Sequence, residues 1–279
     1  MARQLSPLKG VTMTKFLVKP GRKVNLDRID PSDRSAVSSF KEKNVQELAD
    51  LSLRLDKLQN VFYASGQHKL LVVLQGMDTS GKDGTIRHVF AAVDPLGVRV
   101  VSFKTPTDEE KSHDFLWRIH SHVPGAGEVV IFNRSHYEDV LITRVHGWID
   151  AKECKRRYQH IIAFEKLLAD NGTLILKFYL HISIDEQKRR LEERLKNPTK
   201  QWKFRLADLE ERKHWSDYVV AYEDALEATS TEWAPWFVVP ANSNTNRNLF
   251  ISRILVKSLE RLKLSYPRAP EDLLGVVVD

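Results

Sequence analysis

One short stretch places Gly76, Asp78, Thr79, Ser80, Gly81, Lys82, Asp83 and Gly84 within nine positions of each other. The glycines let the backbone curl so that successive N–H groups point inward, and a nest of that kind at a helix N-terminus binds anions. Lys82 adds a cation able to follow charge from one phosphate to the next. The spacing of Gly76 and Gly81-Lys82 matches the phosphate-loop pattern up to its last position, where Asp83 stands in place of the usual Ser or Thr. The hydroxyl that ordinarily binds magnesium is therefore missing. Asp78 becomes the candidate ligand from inside the loop, with a turn former that bonds its own backbone as the structural alternative.

Further chemistry lies downstream. Asn133-Arg134-Ser135-His136-Tyr137-Glu138-Asp139 carries a cation and an acidic pair, which would contact a nucleotide or a metal or would simply complement a helix N-terminus. His136 has no second His or Cys at ligand spacing and reads as a structural or phosphate-contacting residue. From Lys188 to Lys213 the chain is rich in Arg and Lys, with Arg189, Arg190, Arg194, Lys203, Arg205 and Arg212 interleaved with Trp202 and Phe204. That segment suits either a solvated helix face or a lid closing over phosphates and excluding water. Arg118 joins the candidate phosphate contacts and Arg194 the candidate nucleotide contacts.

The elements that must position these residues follow from periodicity. Leu70–Leu74 is an apolar run bounded by turn formers and suits a strand buried on both faces. Leu48, Leu51, Leu55, Leu58 and Phe62 recur at helical spacing from Val45 onward, either as core packing or as a dimer contact. A helix is expected over 85–93, ending at Asp94-Pro95. Strands are expected over 98–103, 128–132, 174–182 and 236–239. Thr107 with Glu110 predicts a capping box and a helix through His122. Asp150 with Glu153 and Ser183 with Glu186 open two more helices, and Asn248–Leu264 reads as a last, amphipathic one. The alternation is that of a parallel α/β sheet, with ligands at the C-terminal strand ends.

The 279 residues suit one large domain: a polar arm over 1–44, a core over 45–266 with a lid near 197–218, and a loose tail over 267–279. A formal net charge of +6 favours an anionic partner. The single cysteine, Cys154, leaves no intrachain disulfide and suggests a reducing compartment. No apolar run approaches the roughly 20 residues of a membrane span, and the N-terminus lacks a signal-like apolar block, so a cytoplasmic protein is expected.

LQGMDTSGKDG at 74–84, VIFNRSHYEDVL at 130–141 and QWKFRLADLEER at 201–212 together resemble the polyphosphate kinase 2 family, over about Lys43 to Arg261. The resemblance implies a thymidylate-kinase-like P-loop kinase fold: three α/β/α layers, about five parallel strands and a helical lid. It implies transfer of phosphoryl groups between inorganic polyphosphate and AMP, ADP or ATP. Asp78, Lys82 and Arg134 would be catalytic. The loop together with Arg118, Lys203, Arg205 and Arg212 would bind phosphate, and Arg134, Glu138, Asp139 and Arg194 would bind nucleotide. Magnesium, or manganese in its place, would sit on Asp78 and on Glu138 or Asp139. Members restricted to ADP typically have aspartate where this chain has Asn133 and asparagine-arginine where it has Glu138-Asp139, so it resembles the class using both AMP and ADP. A homo-oligomer, dimer or tetramer, is expected, with no membrane or nucleic-acid partner. Two readings outside this one share the motifs: an ATP-dependent nucleoside monophosphate kinase, and a non-catalytic phosphate- or nucleic-acid-binding module.

Overall fold

A computed structural model describes residues 14–271, 276 and 278. Among them, five strands form one parallel sheet: β1 (Lys69–Gln75), β2 (Val98–Ser102), β3 (Val129–Asn133), β4 (Thr173–His181) and β5 (Trp236–Pro240), in the order β2-β3-β1-β4-β5. Each expected strand is present within a residue or two. The helices are α1 (Lys41–Ser65), α2 (Lys82–Val89), α3 (Asp108–Ser112), α4 (Trp117–His120), α5 (Glu138–Val145), α6 (Ala151–Asp170), α7 (Ile184–Lys196), α8 (Ala207–Lys213), α9 (Trp215–Thr229) and α10 (Asn244–Glu260).

Helices α1, α2 and α10 pack together on one face of the sheet, and α5, α6 and α9 on the other. The result is the expected three-layer α/β/α architecture. Leu70 to Leu74 are fully enclosed between the layers, which is why the central strand reads as a continuous apolar run rather than an alternating one. Leu74 pairs with Asn133 in the parallel register. The chain leaves β1 for a helix on one face and leaves β3 for helices on the other, so a crevice opens between their C-terminal ends.

Several boundaries differ from expectation, each for a local reason. Helix α2 begins at Lys82, because Gly81 at φ +102° caps it, and it ends at Val89, before the turn that brings the Asp94 N–H to Asp56. The Thr107–Glu110 capping box is present, but the helix it opens stops at Ser112. Asp114 there accepts from the Leu116 N–H at 2.9 Å, an Asx turn that competes with continued helix, and α4 starts afresh at Trp117. Helix α10 starts at Asn244, four residues early, where Ser243 accepts from the Asn246 N–H. It is buried on nearly every side rather than amphipathic.

Of the described part of the expected arm, 14–44, residues 14–40 lie across the domain and 41–44 already belong to α1. Leu17 bridges Phe237 antiparallel, the Val18 N–H donates to the Trp236 carbonyl, and Phe16, Val18, Leu26 and Ala36 are buried. Residues 1–13 and, in the expected tail, 272–275, 277 and 279 lie outside the described residues; 267–271 carry no helix or strand apart from a single 3₁₀ position at Glu271.

Candidate active site

The register that pairs Leu74 with Asn133 sets the phosphate loop beside the residues following β3. The Arg134 N–H donates to the Leu74 carbonyl at 3.1 Å, and Arg134 takes φ +64°, which costs a non-glycine residue and turns its side chain over the loop. Its guanidinium donates to Asp78 at 2.6 Å and to Glu138 at 3.2 Å. The Glu138 carboxylate first, and Asp78 with it, hold this guanidinium above its ordinary range, so it stays charged. Gln75 donates to the other Glu138 oxygen at 3.1 Å.

Lys82 is enclosed by its own loop, donating to the Gly76 carbonyl at 2.7 Å and the Met77 carbonyl at 3.2 Å. Burial, then the like charge of Arg134, lowers its ammonium to about 8. Thr79 also has a positive φ, +64°, and its buried hydroxyl has no protein partner, as the side-chain amide oxygen of Gln75 has none. Asp83, where the phosphate-loop pattern usually has a hydroxyl, is held by Asn133 at 2.9 Å and by Lys203 at 3.0 Å. Burial raises its carboxyl, but those two bonds outweigh it and the net shift is downward.

All this opens on a cavity of about 2160 Å³. Of the residues expected in the site, Asp78 to Gly84, Arg118, Arg134, Glu138, Asp139, Arg194, Lys203 and Arg205 line it. Gly76 and Arg212 border a small neighbouring pocket together with Asp78, Arg134 and Glu138. Arg212 is committed there, donating to the Ile184 carbonyl at 2.8 Å and to Gln187 at 2.7 Å. Arg118 donates to Asp139 at 3.3 Å and to the Lys104 carbonyl at 2.9 Å. Burial pushes the Asp139 carboxyl up, with Arg118 opposing it.

Of the three candidate metal ligands, then, Asp78 and Glu138 meet on one cation while Asp139 is engaged elsewhere. No group of three His, Cys, Asp or Glu side chains converges anywhere among the described residues. Two carboxylates facing a phosphate site still suit magnesium, which keeps several waters and takes its remaining ligands from substrate phosphates.

The structure also shows contacts that the sequence left without a role. Gln187 and Arg190 of α7 and Arg247 of α10 all reach the loop carbonyls. Arg247 was hidden just ahead of the expected helix start; the available signal was one arginine among asparagines entering an apolar helix. Behind the site, Lys177 on β4 donates to Glu165 at 2.6 Å and to the Tyr137 hydroxyl at 2.7 Å, all fully buried. A lone lysine inside an apolar strand was its signal.

Comparison with known proteins gives a consistent picture. The family model described as Polyphosphate kinase 2 matches residues 38–267. The chain is 56% identical to the AMP/ADP-polyphosphate phosphotransferase of Meiothermus ruber over 96% of this chain and all of that protein. It is 43% identical to the ADP-polyphosphate phosphotransferase of Rhodopseudomonas palustris, over 91% of each. The crystal structure of polyphosphate kinase 2 from Arthrobacter aurescens superimposes with a TM-score of 0.89 at 47% identity, covering 92% of this chain and 93% of that one.

Proposed function

Since the chain belongs to the polyphosphate kinase 2 family, we propose that it transfers the terminal phosphoryl group of inorganic polyphosphate to AMP and to ADP, with magnesium. The observation that carries this reading is Arg134, which links Asp78 of the phosphate loop to Glu138 of the second motif within one basic cavity. Phosphoryl transfer needs in-line positioning and positive charge around the moving group, with little covalent work from the protein.

In this reading the loop amides and Lys82 hold the donor end of polyphosphate, and Arg134 spans donor and acceptor as charge builds on the transferring group. Lys203 and Arg205 steer the chain, and closure of the lid keeps water from the anhydride. Asp78 and Glu138 would hold magnesium, which would neutralise phosphate charge and help align the two substrates. Donor and product are both phosphoanhydrides, so the reaction runs in either direction according to supply. Asn133 and Glu138 support use of AMP as well as ADP. The single buried Cys154 supports a cytoplasmic location. Apolar Phe40, Val45 and Leu53, exposed at α1, support a homo-oligomer, which light scattering would size.

Incubation with AMP, magnesium and polyphosphate in the absence of ATP tests the central point. ADP and then ATP should accumulate; if neither forms, the reading fails.

A further inference from the structure

The carbonyls of the phosphate loop are held one by one. Gly76 and Met77 accept from Lys82, as described above. The next three carbonyls accept from outside the loop: Asp78 from Gln187 at 3.2 Å, Thr79 from Arg190 at 2.9 Å, and Ser80 from Arg247 at 3.4 Å. Five successive carbonyls are thus engaged; the Ser80 N–H closes a turn onto the Met77 carbonyl at 3.1 Å, while the Asp78, Thr79 and Gly81 N–H groups have no acceptor among the described residues, which is the condition for an anion nest. Arg190 also donates to the Ala241 and Asn242 carbonyls at 2.7 and 3.0 Å, so the same side chain ties the β5–α10 junction to the loop.

Arg247 is the unusual member. It is 1% exposed, yet among the described residues no carboxylate forms an ion pair with it. Its fork is held by neutral oxygens, Asn244 at 2.8 Å and Asn248 at 3.0 Å. The guanidinium packs on Gly81, where an added Cβ would come within 2.0 Å of it. Burial, followed by the nearby charge of Arg190, lowers it to about 9. A buried, unneutralised cation is costly. Here its field falls on the turn where phosphate would bind.

We propose that Arg247 is a positioning residue for phosphate binding: its fork fixes the Ser80–Gly81 turn, and its charge is balanced only when an anion occupies the loop. It acts through the loop backbone and not by touching substrate. The link to catalysis rests on the polyphosphate reading above, but the effect on anion binding does not.

The test uses the full chain with Arg247→Met and Arg247→Lys, checked by circular dichroism, with inorganic tripolyphosphate as the calorimetric probe and steady-state kinetics alongside. Arg247→Met should weaken tripolyphosphate binding and raise the KM for polyphosphate by about ten- to a hundredfold, the range for losing a buried charged donor. The KM for AMP should stay within about twofold, since Arg247, although it borders the cavity, contacts the loop at Ser80 and Gly81 and not Glu138. Arg247→Lys keeps the charge without the fork, and should lose at least about fivefold in kcat/KM for polyphosphate. That variant decides the matter if the methionine variant does not fold. Wild-type tripolyphosphate affinity in a folded Arg247→Met protein, or wild-type kcat/KM in Arg247→Lys, overturns the proposal. Should the wild type bind tripolyphosphate through Arg247 yet never turn polyphosphate over, the activity is wrong and Arg247's role stands.

Discussion

Lys82 shows how burial sets both the strength and the pH range of this site. Its ammonium is held near 8 while the cavity is open, so it is charged below that pH and loses its proton as the pH rises through it. The free-enzyme profile of kcat/KM for polyphosphate should therefore be level below about pH 8 and fall above it. A profile flat to pH 9.5, roughly the span over which a lysine of that affinity must titrate, would remove Lys82 from the binding step. Replacing Lys82 or Asp78 by alanine should cut kcat by at least about a hundredfold, the usual scale for one transition-state contact, with circular dichroism unchanged. Near-normal rates in either would remove that residue from the transfer step. Glu138 tests acceptor choice. It shares Arg134 with Asp78 and faces the cavity, so Glu138→Gln should depress AMP use several-fold more than ADP use in parallel assays. Equal loss on both nucleotides would confine Glu138 to holding Arg134.

Among the elements, those with one dominant local signal are legible in the sequence. β1 announced itself as an unbroken apolar run, and the caps at Thr107, Asp150 and Ser183 each began the helix they were expected to begin. What failed were boundaries set by short side-chain turns and caps that the apolar period does not record. The split between α3 and α4 turns on the side chain of Asp114, and the early start of α10 on Ser243. Likewise, the site motifs were readable because loop chemistry is local, whereas the supports behind them, Arg190, Arg247 and Lys177, matter only through residues remote in sequence. Lys177 joins β4, α6 and α9: it donates to Glu165 and to the Thr229 carbonyl, and Tyr137 joins them from the segment that carries Arg134. Lys177→Met would leave Glu165 buried with no lysine, costing about 3–5 kcal/mol in urea denaturation. Burial raises the Glu165 carboxyl, but Lys177 and His136 reverse this and hold it below 4.5. The wild type should thus keep that contribution above about pH 4.5 and lose it as the pH falls through the folded-state value. A variant as stable as the wild type at neutral pH would show the pair to be replaceable packing.

At the scale of the whole molecule, the size of the cavity bears on the order of events. About 2160 Å³ is well beyond the roughly 300–1,000 Å³ that one small ligand fills, so donor and acceptor have room to be present together. The loop opens into it from β1 and Arg134 from β3, while Lys203 reaches across from the lid region to Asp83, all on one sheet edge. We propose a direct transfer on that layout, with both anions bound before any bond breaks. The competing route is a phosphorylated histidine, since His88, His113 and His160 line the same cavity. His136 is a poor candidate, being fully buried against Glu165. Initial rates measured over a grid of polyphosphate and AMP concentrations separate the two, because a covalent intermediate released from its donor gives parallel double-reciprocal lines. Intersecting lines are expected, together with no acid-labile phosphate on protein quenched after exposure to polyphosphate alone. Parallel lines accompanied by a phosphorylated cavity histidine would mean that the two substrates use the chamber in turn, and Arg134 would then have to serve two half-reactions.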